Sequence, residues 1–270
     1  MMRDEQYLLG YSEREALRLR QQSRDLAHET GGLLNQIGVG PGERVLDLGC
    51  GPQGSLELLA ERVGPSGSVV GLEKNARAAA LARAFVRERG LANIEVVAGD
   101  ARASGLPRAS FDLVHARLVL VNVPRPEEIV REMVALARPG GVVASHEADY
   151  AAHRCDPPHP SWDRLFAVYE AYSRDNGIDL FIGRRTHSLF RAAGLIDLRV
   201  HPLIHVYPPG HPRRGIFLEF IGNVRAHLLA DGRISEDELD THLRALHEHI
   251  ARPDVLIISH MFFQVWGRAP

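Results

Sequence analysis

Residues 44–54, RVLDLGCGPQG, constrain the fold of this chain more than any other stretch. Val45, Leu46 and Leu48 are expected to form a short buried strand. Gly49, Gly51 and Gly54, with Cys50 and Pro52 between them, then let the backbone turn tightly and approach a ligand closely before a helix begins. Asp47 sharpens the expectation. A pyrophosphate would be repelled by a carboxylate two residues before the first glycine, whereas a ligand carrying an ammonium and a sulfonium would be attracted. The loop is therefore expected to hold S-adenosylmethionine (SAM) rather than a nicotinamide dinucleotide.

The segments that follow alternate between strand and helix. Residues 56–63 read as a helix closed by Gly64, 68–73 as a second strand, 75–89 as a helix, and 94–100 as a third strand. Residues 111–116 read as a fourth strand, 126–137 as a helix and 140–146 as a fifth strand. This rhythm predicts an α/β fold, a Rossmann-like doubly wound sheet with ligands at the carboxyl ends of its strands. Glu73 ends the second strand about 20 residues beyond the loop, where an acid accepts hydrogen bonds from both ribose hydroxyls. Asp100 ends the third, placed to accept from an adenine amino group, with the Ala101 amide serving a ring nitrogen. Ahead of the first strand, residues 11–37 read as one or two helices opened by a capping box at Ser12 and Glu15.

After Tyr150 the pattern changes. Helices are expected at 162–172, before Gly194, at 216–229 and at 235–250, with strands at 195–207 and 255–266. The chain is expected to be one domain over 1–270. It comprises an N-terminal helical lid (1–40), a SAM-binding core (41–149), substrate-side insertions (150–183 and 208–252) and a final strand (253–270). Of the 17 aromatic residues, 13 lie from Tyr150 onward, so Tyr150, Trp162, Phe166, Tyr169, Tyr172, Phe181, Phe217 and Phe220 either line an apolar acceptor pocket or form the core of the added helices. A net charge of -2 and the lack of a basic run argue against a nucleic-acid partner. No apolar stretch reaches the roughly 20 residues of a membrane span. Two distant single cysteines, Cys50 and Cys155, fit a reducing cytoplasm.

On Val45 to Gly51, Glu73, Gly99 to Ala101, Phe111 to Arg117 and Arg138 to Gly141, the chain resembles the class I SAM-dependent methyltransferases, and more closely the small-molecule methyltransferases of bacterial metabolism. The likeness runs from about Gly40 to Gly141 and returns in the last strand. It implies a seven-stranded sheet whose last strand is antiparallel, with N-terminal helices and helical insertions forming a lid. It also implies a cofactor site built from Tyr7, Asp47, Gly49, Cys50, Gly51, Pro52, Gly54, Glu73, Lys74, Gly99, Asp100, Ala101, Ala116, Arg117 and Leu118.

The chemistry implied is transfer of a methyl group to a small, largely apolar organic acceptor, with oxygen, nitrogen and carbon nucleophiles all open and S-adenosylhomocysteine released. Methyl transfer needs the nucleophile held in line and close, and a general base only when the acceptor arrives protonated. His146 and Asp149, where the fifth strand ends, are the expected base and its orienting partner; His115 is expected to be a wall of the cofactor pocket. Twelve of the 14 histidines follow Gly141, yet His242, His247 and His249 lack metal-ligand spacing, so no metal is expected. Arg184 and Arg185 either meet an acceptor's anionic group or serve structure. Two other readings are weighed: a SAM-binding or cyclase-like protein that moves no methyl would carry the same motifs, whereas an NAD-dependent dehydrogenase would have to seat a pyrophosphate beside Asp47. The oligomeric state is not encoded in any of these features.

Overall fold

The computed structural model describes residues 13–270. Tyr7 and the capping serine Ser12 lie outside the described residues. The chain opens with α1 (Glu13–Asp25) and α2 (Ala27–Ile37), and Gly38 closes α2 at φ 85°. The alternating half follows as β1 (Arg44–Leu48), α3 (Leu56–Val63), β2 (Ser68–Glu73), α4 (Ala76–Glu88), β3 (Ile94–Ala98), β4 (Phe111–Arg117), α5 (Pro126–Leu136) and β5 (Ala137–Asp149). Local chemistry sets these boundaries. The Asn75 side chain accepts from the Ala78 amide at 2.9 Å and caps α4, while Pro126 sits in the first turn of α5, where its missing N–H costs nothing.

The remainder adds β6 (Arg154–Asp156), α6 (Pro160–Asp175), α7 (Ile182–Ala192), β7 (Ile196–Leu203), β8 (Val206–Tyr207), α8 (Ile216–Ala230), α9 (Glu236–Ile250), β9 (Leu256–Ile258) and β10 (Met261–Arg268). Seven strands form one sheet in the order β3-β2-β1-β4-β5-β10-β7, parallel except for β10, which runs antiparallel to both β5 and β7. The expected strands at 195–207 and 255–266 are each broken in two. Their short pieces, β8 and β9, leave the main sheet and pair with β6 in a separate three-stranded sheet. At the second break Ser259 N–H donates to the His205 carbonyl and the Ser259 hydroxyl donates to the His260 carbonyl, so the ladder is interrupted at Ser259 and His260.

Alternation along the central strands separates two cores. Val45, Leu113 and Ala144 face one side and pack with Leu33 and Leu34 of α2 and Leu56 and Leu59 of α3. Leu46, Leu48 and Val114 face the other, where α5, α7 and the helices of the second half bury Met133, Phe190, Trp162, Phe217 and Leu246 in one continuous cluster. Trp162, Tyr169, Tyr172 and Phe217 are therefore core residues. The chain leaves β1 toward β2 and β3, then returns to β4 on the other side. This reversal opens a crevice at the carboxyl ends of β1 and β4.

Candidate functional site

At that crevice the backbone of the glycine loop comes first. Gly49, Gly51 and Gly54 have φ of 72°, 59° and 52°. A Cβ on Gly54 would overlap the Cys50 carbonyl oxygen and stand 2.7 Å from Asp47 Oδ2, so the loop closes there only with glycine. Asp47 is 2 % exposed, and both its oxygens are engaged: Oδ2 accepts from the Ser55 amide and Oδ1 pairs with His115 Nδ1, each at 2.9 Å. It stiffens the loop from behind as well as contributing negative charge to the cleft wall.

Glu73 closes β2. Its Oε2 accepts from the Gly51 amide at 2.9 Å and its Oε1 from the Asn75 amide at 2.7 Å. Burial raises its pKa and these amides partly offset that. Asp100 follows β3 and meets Lys74 Nζ at 2.8 Å; burial opposes its charge, but Lys74 and Arg102 hold the carboxyl below its ordinary range. Arg102 in turn donates to the Pro124 carbonyl at 2.8 Å, tying the Asp100 turn to the loop that follows β4.

These groups line one cleft of about 1430 Å³ including its open mouth. Gly49, Cys50, Gly51, Pro52, Gly54, Lys74, Gly99, Ala101, Arg117 and Leu118 stand on its wall, together with Asp47, Glu73 and Asp100. Ala116 is fully buried behind it. Arg117 reaches across from β4 and donates to Thr30 Oγ1 at 2.9 Å, the Gly54 carbonyl at 3.0 Å and Ser23 Oγ at 3.2 Å. The helices before β1 are thereby fixed over the cleft, and Arg18, Leu19, Gln22 and Ser23 of α1 form its roof.

The far end is aromatic. Tyr150, Phe220 and His260 line it, and the His260 ring stacks on Tyr150 with centroids 4.9 Å apart. His260 Nδ1 is buried without a partner, Nε2 makes no hydrogen bond among the described residues, and the ring stands on the cleft wall. Burial holds His260 well below the usual histidine pKa, so the ring is neutral at pH 7. His153, behind it, is pushed down to about 3 for the same reason.

The two residues expected to carry catalysis sit elsewhere. His146 is completely buried, edge-on to Phe262 and 3.5 Å from Gln264 Nε2, and it does not line the cleft. Burial lowers its pKa well below the ordinary value. Asp149 is 1 % exposed and held bidentately by Arg184 through Nε to Oδ2 and Nη2 to Oδ1, which fixes Arg184 as structural and leaves Asp149 away from the cleft lining. Three residues apart on one strand, the two side chains leave β5 on opposite faces, and neither lines the cleft. Arg185 pairs with Asp179.

Between them in sequence, Glu147 acts on the cleft indirectly. It accepts the amides of Val119, Leu120 and Val121, each at 3.1 Å, and so shapes the turn at Leu120–Asn122 whose Val119, Val121 and Asn122 form a cleft wall. Burial pushes it up to about 7 despite these bonds. His242 and His249 bond Ser161 Oγ and the Pro157 carbonyl, and among the described residues no three His, Cys, Asp or Glu side chains converge on a metal position.

Comparison with known proteins agrees with this geometry. A profile of the methyltransferase-domain family matches residues 40–173. A demethylmenaquinone methyltransferase from Geobacillus sp. strain WCH70 is 33 % identical over 182 residues, covering 62 % of this chain and 76 % of that protein. One from Listeria welshimeri is 34 % identical over 134 residues, 50 % of this chain and 54 % of that protein. The chain thus spans about half the length of the Listeria relatives it matches. Among solved structures, a SAM-dependent methyltransferase from Aquifex aeolicus shares the fold with a TM-score of 0.57 at 16 % identity, over 96 % of this chain and 100 % of that one. Sheet order, glycine loop and sequence kinship together place the chain in the class I SAM-dependent methyltransferases.

Proposed function

We propose that this protein transfers the methyl group of SAM to a small organic acceptor and releases S-adenosylhomocysteine. The observation that carries the reading is the continuity of one cleft, from the acids at the ends of β2 and β3 to the aromatic wall of Tyr150, Phe220 and His260. Membership in the family sets aside the dehydrogenase alternative. The donor set suits the cofactor: Glu73 for the ribose hydroxyls, Asp100 for the adenine amino group, and a glycine loop with no room for a Cβ at position 54. When bound, SAM supplies an electrophilic methyl on a sulfonium.

The protein's own part in this reading is placement. Tyr150 and Phe220 pack the apolar body of an acceptor and shed water from it, while neutral His260 holds the nucleophile by a hydrogen bond through Nε2. A nucleic-acid acceptor would call for a basic face, which a chain of net charge -2 without a basic run does not supply. No helix among the described residues is long and apolar enough to cross a membrane. The cytoplasm is the compartment we infer, because Cys50 and Cys155 are free and buried, a state that a reducing environment preserves.

Calorimetry with S-adenosylhomocysteine tests the cofactor half. Glu73→Ala should weaken binding on the order of 100-fold, from two hydrogen bonds to a charged group worth about 1.5 kcal/mol each. Label transfer from methyl-labelled SAM into phenols, amines, carboxylates and activated carbons tests the other half. Binding without any transfer across that panel would favour a binding or cyclase-like protein. His260→Phe should cut turnover at least 10-fold with S-adenosylhomocysteine affinity kept, whereas His146→Gln should lower the melting temperature and leave turnover of the folded fraction near wild type. The reverse pattern would return His146 to the mechanism.

A further inference from the structure

A second cavity adjoins the cleft across α1, between that helix and the turn at Pro212–Gly215 with the start of α8. We propose that it is an oxyanion subsite, taking a carboxylate or phosphate group of the acceptor, with Arg213 as its anchor; as a part of acceptor binding, this rests on the methyl-transfer reading above.

Arg213 is 7 % exposed and lines the cavity, yet its Nε and Nη2 are buried with no hydrogen-bond partner. Among the described residues its one counter-ion is Asp25, with Oδ2 3.4 Å from Nη1. A guanidinium cannot shed its proton, so a buried edge without an acceptor carries an uncompensated desolvation cost. Nε and Nη2 are the two donors of one guanidinium edge, the edge that grips a planar oxyanion side-on. The same chain shows this grip on its own carboxylates: Arg184 holds Asp149, and Arg18 holds Glu15, each through Nε and Nη2. At Arg213 the edge is formed and the oxyanion is not supplied by the described residues.

The surroundings favour an anion. Arg20, also on the cavity wall, has a buried Nε without a partner, and Arg18 and Arg24 add two further cations to the wall. Of the three acids there, Glu15 already accepts from Arg18 and Asn223, and Asp25 from Gln21 and Arg213; Glu219 is the third. The position suits an acceptor bound across both cavities. Arg18 and Gln22 border the cleft and this cavity alike. The charge of Arg213 is felt by Tyr150, His153 and His260, so the anchor stands behind the aromatic end of the cleft. An acceptor with its reacting atom beside His260 and an anionic arm past α1 would use both.

Titration of the full-length protein, saturated with S-adenosylhomocysteine, with inorganic phosphate and separately with phenylacetate tests the subsite. At least one probe should bind with Kd on the order of 1 mM. Arg213→Gln should weaken it 10-fold or more, and Arg213→Lys should restore only part of the loss because an ammonium lacks the two-donor edge. S-adenosylhomocysteine affinity should stay within 2-fold in both variants. Phosphate alone, phenylacetate alone or both are supporting results that name the anion class. Binding of neither probe, or equal binding by Arg213→Gln, overturns the proposal. If Arg213→Gln does not fold, Arg20→Gln on α1 replaces it, with a loss of about 3-fold expected and no loss overturning the proposal. Anion binding without S-adenosylhomocysteine binding would leave the subsite standing and remove the methyl-transfer reading instead.

Discussion

Alanine at position 54 should abolish measurable S-adenosylhomocysteine binding and lower the melting temperature by about 10 °C. Gly54 has φ 52°, and a Cβ there would meet the Cys50 carbonyl and Asp47 Oδ2 together. Neither neighbour can retreat: the Cys50 amide is tied to the Leu72 carbonyl, and Asp47 is held by Ser55 and His115. Left-handed strain of about 1–2 kcal/mol adds to the overlap, and a total of about 3 kcal/mol corresponds to that drop for a chain of this size. Gly51→Ala is the control. Its φ is 59°, but nothing lies within 4 Å of the added Cβ, so only the strain of about 1–2 kcal/mol should register. Equal melting temperatures and equal affinities for the two variants would show that the cradle tolerates a methyl at 54 and that its close approach to Asp47 is not what holds the loop.

Glu147 should give the protein a stability that falls as pH rises. Its pKa is raised by burial from 4.5 to about 7, so the folded state binds more protons than the unfolded state between these values. The stabilisation from the protonated form is complete below about 4.5 and is lost as pH rises through about 7, a change on the order of 3 kcal/mol. Glu147→Gln does not titrate. Its unfolding free energy, subtracted from that of wild type, should therefore leave a difference that declines by up to that amount between pH 5 and pH 8, whatever constant offset the lost acceptor causes. A difference that stays flat across this window would mean that Glu147 keeps its charge throughout. Because Glu147 secures Val119, Leu120 and Val121, cofactor affinity in wild type should track the same window.

What the sequence made legible follows from range. Strand β1, the glycine loop, Glu73 and Asp100 were readable because their chemistry is local: a buried apolar run, glycines at forced angles, acids one strand apart in a βαβ repeat. Helix limits at Asn75 and Ser235 were readable for the same reason, since each caps an amide three residues on. The aromatic end of the cleft was not. His146 looked well placed at a strand terminus, but β5 continues to Asp149, which leaves His146 inside the strand, packed against Gln264 and Phe262. Asp149 is claimed by Arg184, 35 residues away, and no local pattern announces that pair.

His260 was hidden by an apparently unbroken strand. Only the departure of β9 into the small sheet creates the break that turns its ring to the cleft. The open edge of Arg213 is likewise a product of tertiary packing, because which acceptors a guanidinium lacks depends on every element around it. The alternating strands and helices and the glycine loop therefore belong to short-range information, and the aromatic end of the cleft to contacts between distant segments.

Arg117 joins three segments that the chain keeps far apart: Ser23 of α1, Thr30 of α2 and the carbonyl of Gly54 in the glycine loop. A roof built of separate loops would have to be ordered each time a ligand arrived, at a cost of about 0.5–1.5 kcal/mol for every side chain stilled. Here one guanidinium, whose pKa burial lowers while Asp47 and Glu29 partly offset that, does the ordering when the protein folds. The cleft is thus preorganised, and the entropy of assembling floor and roof is lost once per molecule rather than once per binding event.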